Sequence, residues 1–235
     1  MLDGLINFYK PTGITSAKAL YAVRKVVGQR KSGHAGTLDP AAEGVLLLCL
    51  GKATKLVELL MGLPKTYVAE ARLDVTSESF DSDRPLIPVP VERVPTRGDV
   101  EEALKGFVGE TEQTPPMVSA LKIGGQPAYK LARRGKTVEL KPRRVRIESI
   151  TLTAYEWPRV AFTMTCGRGT YVRAVARDLG ARLGAGGCLT ALARTAIGPF
   201  RAADAWTLAR LGGAPVDEYL ISVELARSSI SSFTS

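Results

Sequence analysis

One histidine, three cysteines and four methionines in 235 residues leave little of the side-chain chemistry on which many enzymes rely. A lone imidazole, His34, cannot join a histidine cluster, and Cys49, Cys166 and Cys188 are too far apart for a C-x-x-C knuckle. No metal is therefore expected. The odd cysteine count, without a pairing pattern, also argues against a disulfide framework and fits a reducing cytoplasm. Long apolar runs are missing as well: residues 45–50 are the most hydrophobic stretch, against roughly 20 residues for a membrane helix. The N-terminus lacks the charged-then-apolar pattern of a signal segment, and no internal repeat is found. No serine sits in a G-x-S-x-G elbow, and Gly51-Lys52-Ala53-Thr54 has Leu46 where a phosphate loop needs glycine.

Acid is also scarce relative to base. Lysine and arginine number 32 against 23 carboxylates, a formal charge of +9. The excess is concentrated in residues 122–146, where Lys122, Lys130, Arg133, Arg134, Lys136, Lys141, Arg143, Arg144 and Arg146 face only Glu139. Such a surface attracts phosphate backbones by releasing their counterions, so nucleic acid is the leading partner. A solvated face on a basic protein is the plainer alternative. A membrane surface suits the window less, because Gly124, Gly125, Gly135, Pro127 and Pro142 interrupt any amphipathic helix.

The hydrophobic pattern predicts strands at 5–9, 44–50, 65–73, 143–153, 159–166 and 188–193. Helices are predicted from Thr15 or Ser16 through Val27, through Leu56, Leu59 and Leu60, at 98–107, around 129–133 and at 170–183. Residues 74–95 read as a loop, and those after 193 as helical fragments ending in a frayed serine-rich tail. Without strict strand–helix alternation, the class is α+β with a mixed sheet.

The most informative segment is Gly33-His34-Ala35-Gly36-Thr37-Leu38-Asp39-Pro40. Glycines let the backbone bend and approach a ligand, and Pro40 restricts Asp39 to an extended conformation. An Asp-Pro step by itself often only starts a turn or caps a helix. Set beside the missing metal ligands and serine elbow, however, it points to chemistry that runs on one carboxylate, attacking or stabilising a sugar carbon as glycosidase carboxylates do. Such a group stays ionised in a cleft when a fixed cation lies beside it, and arginine suits because it never deprotonates. Gly167-Arg168-Gly169-Thr170-Tyr171-Val172-Arg173 supplies arginine next to an aromatic ring.

Four ordered motifs carry a family resemblance. They are Lys10-Pro11-Thr12-Gly13-Ile14-Thr15-Ser16, the His34 to Pro40 segment with Gly44, Pro115-Pro116 with Ser119-Ala120-Leu121-Lys122, and Gly169-Thr170-Tyr171-Val172-Arg173. Together they resemble the bacterial TruB family of tRNA pseudouridine-55 synthases. The resemblance covers roughly residues 1–225 and implies the pseudouridine synthase fold, a bent, mostly antiparallel mixed sheet with flanking helices and a small RNA-gripping lobe. On that reading the catalytic domain spans 1–183 with the lobe at about 115–142. Residues 184–225 complete the fold, 226–235 form a flexible tail, and no PUA-like RNA-binding domain follows.

The resemblance also implies roles. Asp39 becomes the nucleophile at C1′ of the target uridine, Arg173 its ion-pair partner, and His34 the residue that helps displace the flipped base. Tyr67 stacks on that base and helps remove its C5 proton, while Tyr171 and Leu192 line the uracil pocket. Lys10, Lys122, Lys130, Arg133, Arg134, Arg143 and Arg144 are assigned to the RNA backbone, Lys10 also to support of the active loop. No cofactor is implied, because breaking N1–C1′ and forming C5–C1′ changes neither redox state nor composition. The implied partner is the T arm of tRNA, bound by a cytoplasmic monomer with no obligatory protein partner and no membrane. A non-catalytic RNA-binding or tRNA-folding protein of the same fold is the alternative, and a guide-dependent relative acting on another RNA is a further one. Val118 replaces the usual tyrosine before Ser-Ala, and residues 74–83 follow the family loop only loosely. These departures, with the expected lack of a PUA-like domain, predict weaker tRNA binding with the reaction retained.

Overall fold

The computed structural model describes residues 2–117, 122–123, 126–127 and 140–234. The chain begins with β1 (Gly4–Lys10), α1 (Ser16–Val27), β2 (Ser32–Ala35), β3 (Glu43–Leu50), a 3-10 helix (Gly51–Leu56), α2 (Val57–Gly62) and β4 (Lys65–Arg72). It continues through β5 (Val75–Thr76), β6 (Ile87–Pro88), α3 (Arg97–Lys105), β7 (Gly109–Gln113), β8 (Lys122–Ile123), β9 (Gln126–Pro127), β10 (Arg143–Glu156), β11 (Arg159–Cys166) and α4 (Val172–Arg182). It ends with β12 (Cys188–Ile197), β13 (Phe200–Arg201), α5 (Leu208–Leu211), α6 (Val216–Tyr219) and α7 (Val223–Thr234). The class is α+β, with mainly antiparallel strand pairing in a mixed sheet.

Two compact units divide the chain: Met1–Tyr67 with Leu192–Ser235, and Val68–Ala191. The N-terminal segment and the C-terminal one thus fall in the same unit. The cause is strand pairing within the first unit, where β12 lies parallel to β3 through Ala193↔Glu43 and Arg194↔Gly44. Parallel neighbours require a long crossover, so the chain's end is packed beside its beginning.

In the first unit β3 is the central strand. It runs antiparallel to β1 from Gly4↔Leu50 to Lys10↔Gly44, and antiparallel to β2 from Ser32↔Leu50 to Ala35↔Leu47. Its side chains alternate between two apolar clusters, Val45, Leu47 and Cys49 in one, Leu46, Leu48 and Leu50 in the other. Burial on both faces explains why 45–50 has no polar alternation. Helix α1 starts where Thr15 accepts a hydrogen bond from the Lys18 amide at 3.1 Å, and it stops at Gly28 in the left-handed region. Its buried stripe is Ser16, Ala19 and Val23.

The serine-rich C-terminus departs from the expected flexible tail. Residues Val223–Thr234 form helix α7, and Ala226 and Ile230 enter the same core cluster as Leu47, fully or almost fully buried. Serine is only a moderately poor helix former, and an apolar pair one turn apart is enough to dock the helix. Replacing Ile230 with Ala should cost about 2–5 kcal/mol of stability. A chemical denaturation midpoint unchanged from the parent protein would show that the helix is not docked.

In the second unit β10 pairs antiparallel with both β11 and β7. Helix α3 begins with a capping box in which Thr96 and Asp99 satisfy each other's backbone amides, and α4 buries Val172, Ala174, Val175, Ala176 and Leu179. The 74–95 loop contains the short β5–β6 pair and an isolated bridge from Asp81 to Leu189. Strand β8 pairs with β9. The expected helix around 129–133, most of the expected lobe, Val118, the Ser119-Ala120-Leu121 motif and the side chains of Lys122, Lys130, Arg133 and Arg134 lie outside the described residues. Among the described residues no helix is long and apolar enough to cross a membrane.

Candidate active site

Asp39 lies in the segment between β2 and β3, half-buried, with Pro40 exposed after it. That short segment is fixed at nearly every residue. Ser16, at the start of α1, grips Leu38 twice: its hydroxyl donates to the Leu38 carbonyl at 3.0 Å and accepts from the Leu38 amide at 2.8 Å. The Gly13 amide donates to the Pro40 carbonyl at 2.9 Å, and the Ala42 amide closes a turn onto the Asp39 carbonyl at 3.1 Å. Gly36 and Gly44 adopt φ of 92° and 103°, and a Cβ on Gly44 would stand 2.2 Å from the Arg194 carbonyl oxygen. Glycine at 44 is therefore required both by backbone conformation and by strand approach.

Lys10, assigned above to the RNA backbone, lies inside the protein. Its side chain is 0% exposed, and its ammonium donates to the carbonyls of Pro11 at 2.7 Å, Ile14 at 2.8 Å and Pro40 at 3.4 Å. A buried cation persists only when satisfied, and here backbone oxygens satisfy it. These bonds join the Lys10-Pro11-Thr12-Gly13 turn to the residue after Asp39.

His34 is on β2 opposite Leu48, and its half-buried ring is held below the usual imidazole pKa of 6.5, first by burial and then by the positive charge of Arg194. The ring is therefore neutral at pH 7. Because the folded state resists protonation, the associated stability is present above pH 6.5 and is lost as pH falls through the lowered folded value. Thermal unfolding of the parent should thus weaken between pH 7.5 and 5 more than that of His34→Phe. Parallel pH curves for the two proteins would refute this assignment.

Tyr67 on β4 is 9% exposed, and Leu192 on β12 is half-buried. Both belong to the first unit. There the Thr195 hydroxyl donates to the Thr66 carbonyl at 3.3 Å, tying β12 to the residue before Tyr67. The first unit thus contains Asp39, His34, Tyr67 and Leu192.

The second unit contains Tyr171 and Arg173. Gln113 fixes the Tyr171 backbone in both directions, accepting from its amide at 2.8 Å and donating to its carbonyl at 3.2 Å. Arg143 lies 4.8 Å over the Tyr171 ring and donates to the Gly169 carbonyl, so it orders the turn into α4 as well as carrying charge. Arg144, its neighbour on β10, is exposed. Arg173, 3% exposed, donates to the Ser79 carbonyl at 2.9 Å and pairs with Asp81 at 3.4 Å. Asp81 is held in turn by the Ser79 hydroxyl at 2.5 Å and the Asp83 amide at 3.1 Å. Phe80, between them, has φ of 58°, a costly conformation for a bulky residue, and the Arg177 guanidinium lies 5.2 Å over its ring. Two arginines one turn apart on α4 thus secure the 79–81 turn.

Sequence reasoning missed Asp81, Ser16, Gln113 and Arg194. Asp81 was visible only as one acid in a Ser- and Asp-rich stretch, whereas Arg194 had a signal: a lone arginine continuing an apolar strand pattern.

The model of the TruB family pseudouridylate synthase N-terminal domain matches residues 24–172. The tRNA pseudouridine synthase B of Xanthomonas campestris pv. campestris is 41% identical over 239 residues, covering 99% of this chain and 77% of the relative. That of Opitutus terrae is 42% identical, covering 92% and 90%. Among solved structures, a chain of a Cbf5-Nop10-Gar1 complex superposes with a TM-score of 0.69 at 31% identity, covering 88% of this chain and 52% of that one. A chain of an H/ACA RNP bound to a substrate RNA containing 2'-deoxyuridine gives 0.71 at 26% identity, covering 96% and 61%. This chain therefore spans about half to three-fifths of the length of those solved chains. With identity above 40% to curated relatives along almost its whole length, the chain belongs to the TruB family of pseudouridylate synthases.

Proposed function

We propose that this protein isomerises uridine to pseudouridine at position 55 in the T loop of tRNA. The observation that carries the reading is the Asp39 segment, a half-buried carboxylate on a backbone gripped by Ser16, Gly13 and Lys10, in a member of a pseudouridylate synthase family. The target nucleotide is flipped from its stack, with His34 occupying space it leaves. The Asp39 carboxylate acts at C1′ as the N1–C1′ bond breaks and the uracil keeps the electron pair. The ring turns, C5 bonds to C1′ as the Asp39 carboxylate leaves that carbon, and the C5 proton departs with the help of Tyr67 while N1 gains one. Atoms and electrons balance within the nucleotide, so no cofactor enters the scheme. Arg173 holds compensating positive charge, and Tyr171 and Leu192 line the uracil.

Phosphate contacts supply affinity through Arg143, Arg144 and the basic window, while the shape of the loop and its unstacked base supply specificity. The enzyme so described works as a cytoplasmic monomer on the T arm, its catalytic domain carrying the RNA-gripping lobe as an insertion. Incubating the protein with an unmodified tRNA transcript and mapping pseudouridine by carbodiimide-dependent reverse-transcription stops tests this. A single new stop at the T-loop uridine is expected, and a transcript bound but unchanged would contradict it.

A further inference from the structure

Arg194 is among the largest fully buried side chains of the described residues, 2% exposed, and its guanidinium hydrogen-bonds backbone oxygens. Its guanidinium donates from Nε to the Val45 carbonyl at 2.8 Å, from one terminal nitrogen to the Gly36 carbonyl at 3.0 Å, and from the other to the Thr37 carbonyl at 3.4 Å. Burying a guanidinium is expensive, and an apolar residue would fill the same strand position more cheaply. The cost is understandable if the planar fork does something an apolar side chain cannot. What it does is geometric: it spans the segment that contains Asp39, holding Gly36 and Thr37 on the near side and Val45 on the far side.

We propose that Arg194 is a positioning residue for the isomerisation, fixing the backbone on both sides of Asp39 so that the carboxylate is held where C1′ must come. This inference rests on Asp39 being the reacting group. The other grips on the segment do not duplicate it, since Ser16 acts on Leu38 and Lys10 on Pro40, leaving Gly36 and Thr37 to Arg194. Gly36, in the left-handed region, leaves the backbone there little stiffness of its own. The close approach of Gly44 to the Arg194 backbone keeps the guanidinium in reach of its three acceptors.

Arg194→Met keeps the length and the apolar stem but removes every donor, and Arg194→Lys keeps the charge with a single donating centre. Each is compared with the parent by tRNA dissociation constant and by single-turnover rate of pseudouridine formation. A displacement of the reacting group by about 1 Å costs on the order of 100-fold in rate. Arg194→Met is therefore expected to lose about 100-fold in single-turnover rate with tRNA affinity within about 3-fold of the parent, and Arg194→Lys to fall between the two. A purely structural role would lower the active fraction and leave the rate of the folded molecules unchanged. A folded Arg194→Met that turns over at the parental rate overturns the proposal, as does failure of both variants to fold, which would assign Arg194 to the core alone. Asp39→Asn is run beside them. If it still forms pseudouridine, the reading beneath the proposal is wrong; if it is inactive while Arg194→Met is not, only the proposal falls.

Discussion

Asp39→Asn should abolish pseudouridine formation while leaving tRNA binding and folding intact. The substitution keeps the size of the side chain and removes only its charge and nucleophilic oxygen, and the loop that presents it is held through backbone groups that asparagine retains. Removing a nucleophile from a site that keeps its binding machinery costs about 10,000-fold or more, or about 5.4 kcal/mol of transition-state stabilisation at 1.36 kcal/mol per tenfold. The same logic predicts an unchanged dissociation constant, because phosphate contacts and loop shape, rather than Asp39, supply affinity. Single-turnover kinetics beside filter binding checks both halves. Loss of binding in parallel with loss of rate would instead make Asp39 a structural or recognition residue.

The second large effect is expected at Asp81. Arg173 and Asp81 have side chains only 3% and 7% exposed, so their pairing is shielded from solvent. Such a pair adds little over an apolar alternative, yet breaking a buried pair by removing one member costs about 3–5 kcal/mol. Asp81→Ala should therefore lower stability by that amount. It should also lower the turnover of the folded fraction, because Arg173 loses the carboxylate that orients it and the Ser79 hydroxyl loses its acceptor. Asp81→Asn keeps an acceptor for Ser79 and the Asp83 amide and should retain more of the stability than of the activity, since the Asp81 charge no longer faces Arg173. Denaturation midpoints and single-turnover rates for both variants test this. An Asp81→Ala protein as stable and as active as the parent would show that Arg173 does not depend on this partner.

These two carboxylates also show where the sequence was readable. Asp39 stood out because glycines, a proline and the only histidine surround it, each a residue whose backbone or side chain restricts what the segment can do. Asp81 had no such punctuation, and its importance comes from a partner that is distant in sequence. Local signals placed α1 well, since Thr15 and Gly28 mark its ends and Ala19 and Val23 its buried face. They placed β3 equally well, because a strand buried on both sides has an apolar residue at every position. Strand β2 escaped notice: Ser32, Gly33 and His34 lack strand propensity, and pairing with β3 decides their conformation. Helix α7 escaped because serine dominated the composition while Ala226 and Ile230, a turn apart, decided the packing. Lys10 was read first for its charge, yet three nearby carbonyls draw that charge inside. Arg194 is similar, for both cations are buried and hydrogen-bond backbone carbonyls of the Asp39 segment.

Isomerisation at a single uridine is measured most directly by release of tritium from C5-labelled uridine in a T-arm hairpin. The purified protein, without added cofactor, should release one tritium for each pseudouridine formed, and Asp39→Asn should release none. A parent protein that binds the hairpin tightly and leaves the C5 label in place would contradict it.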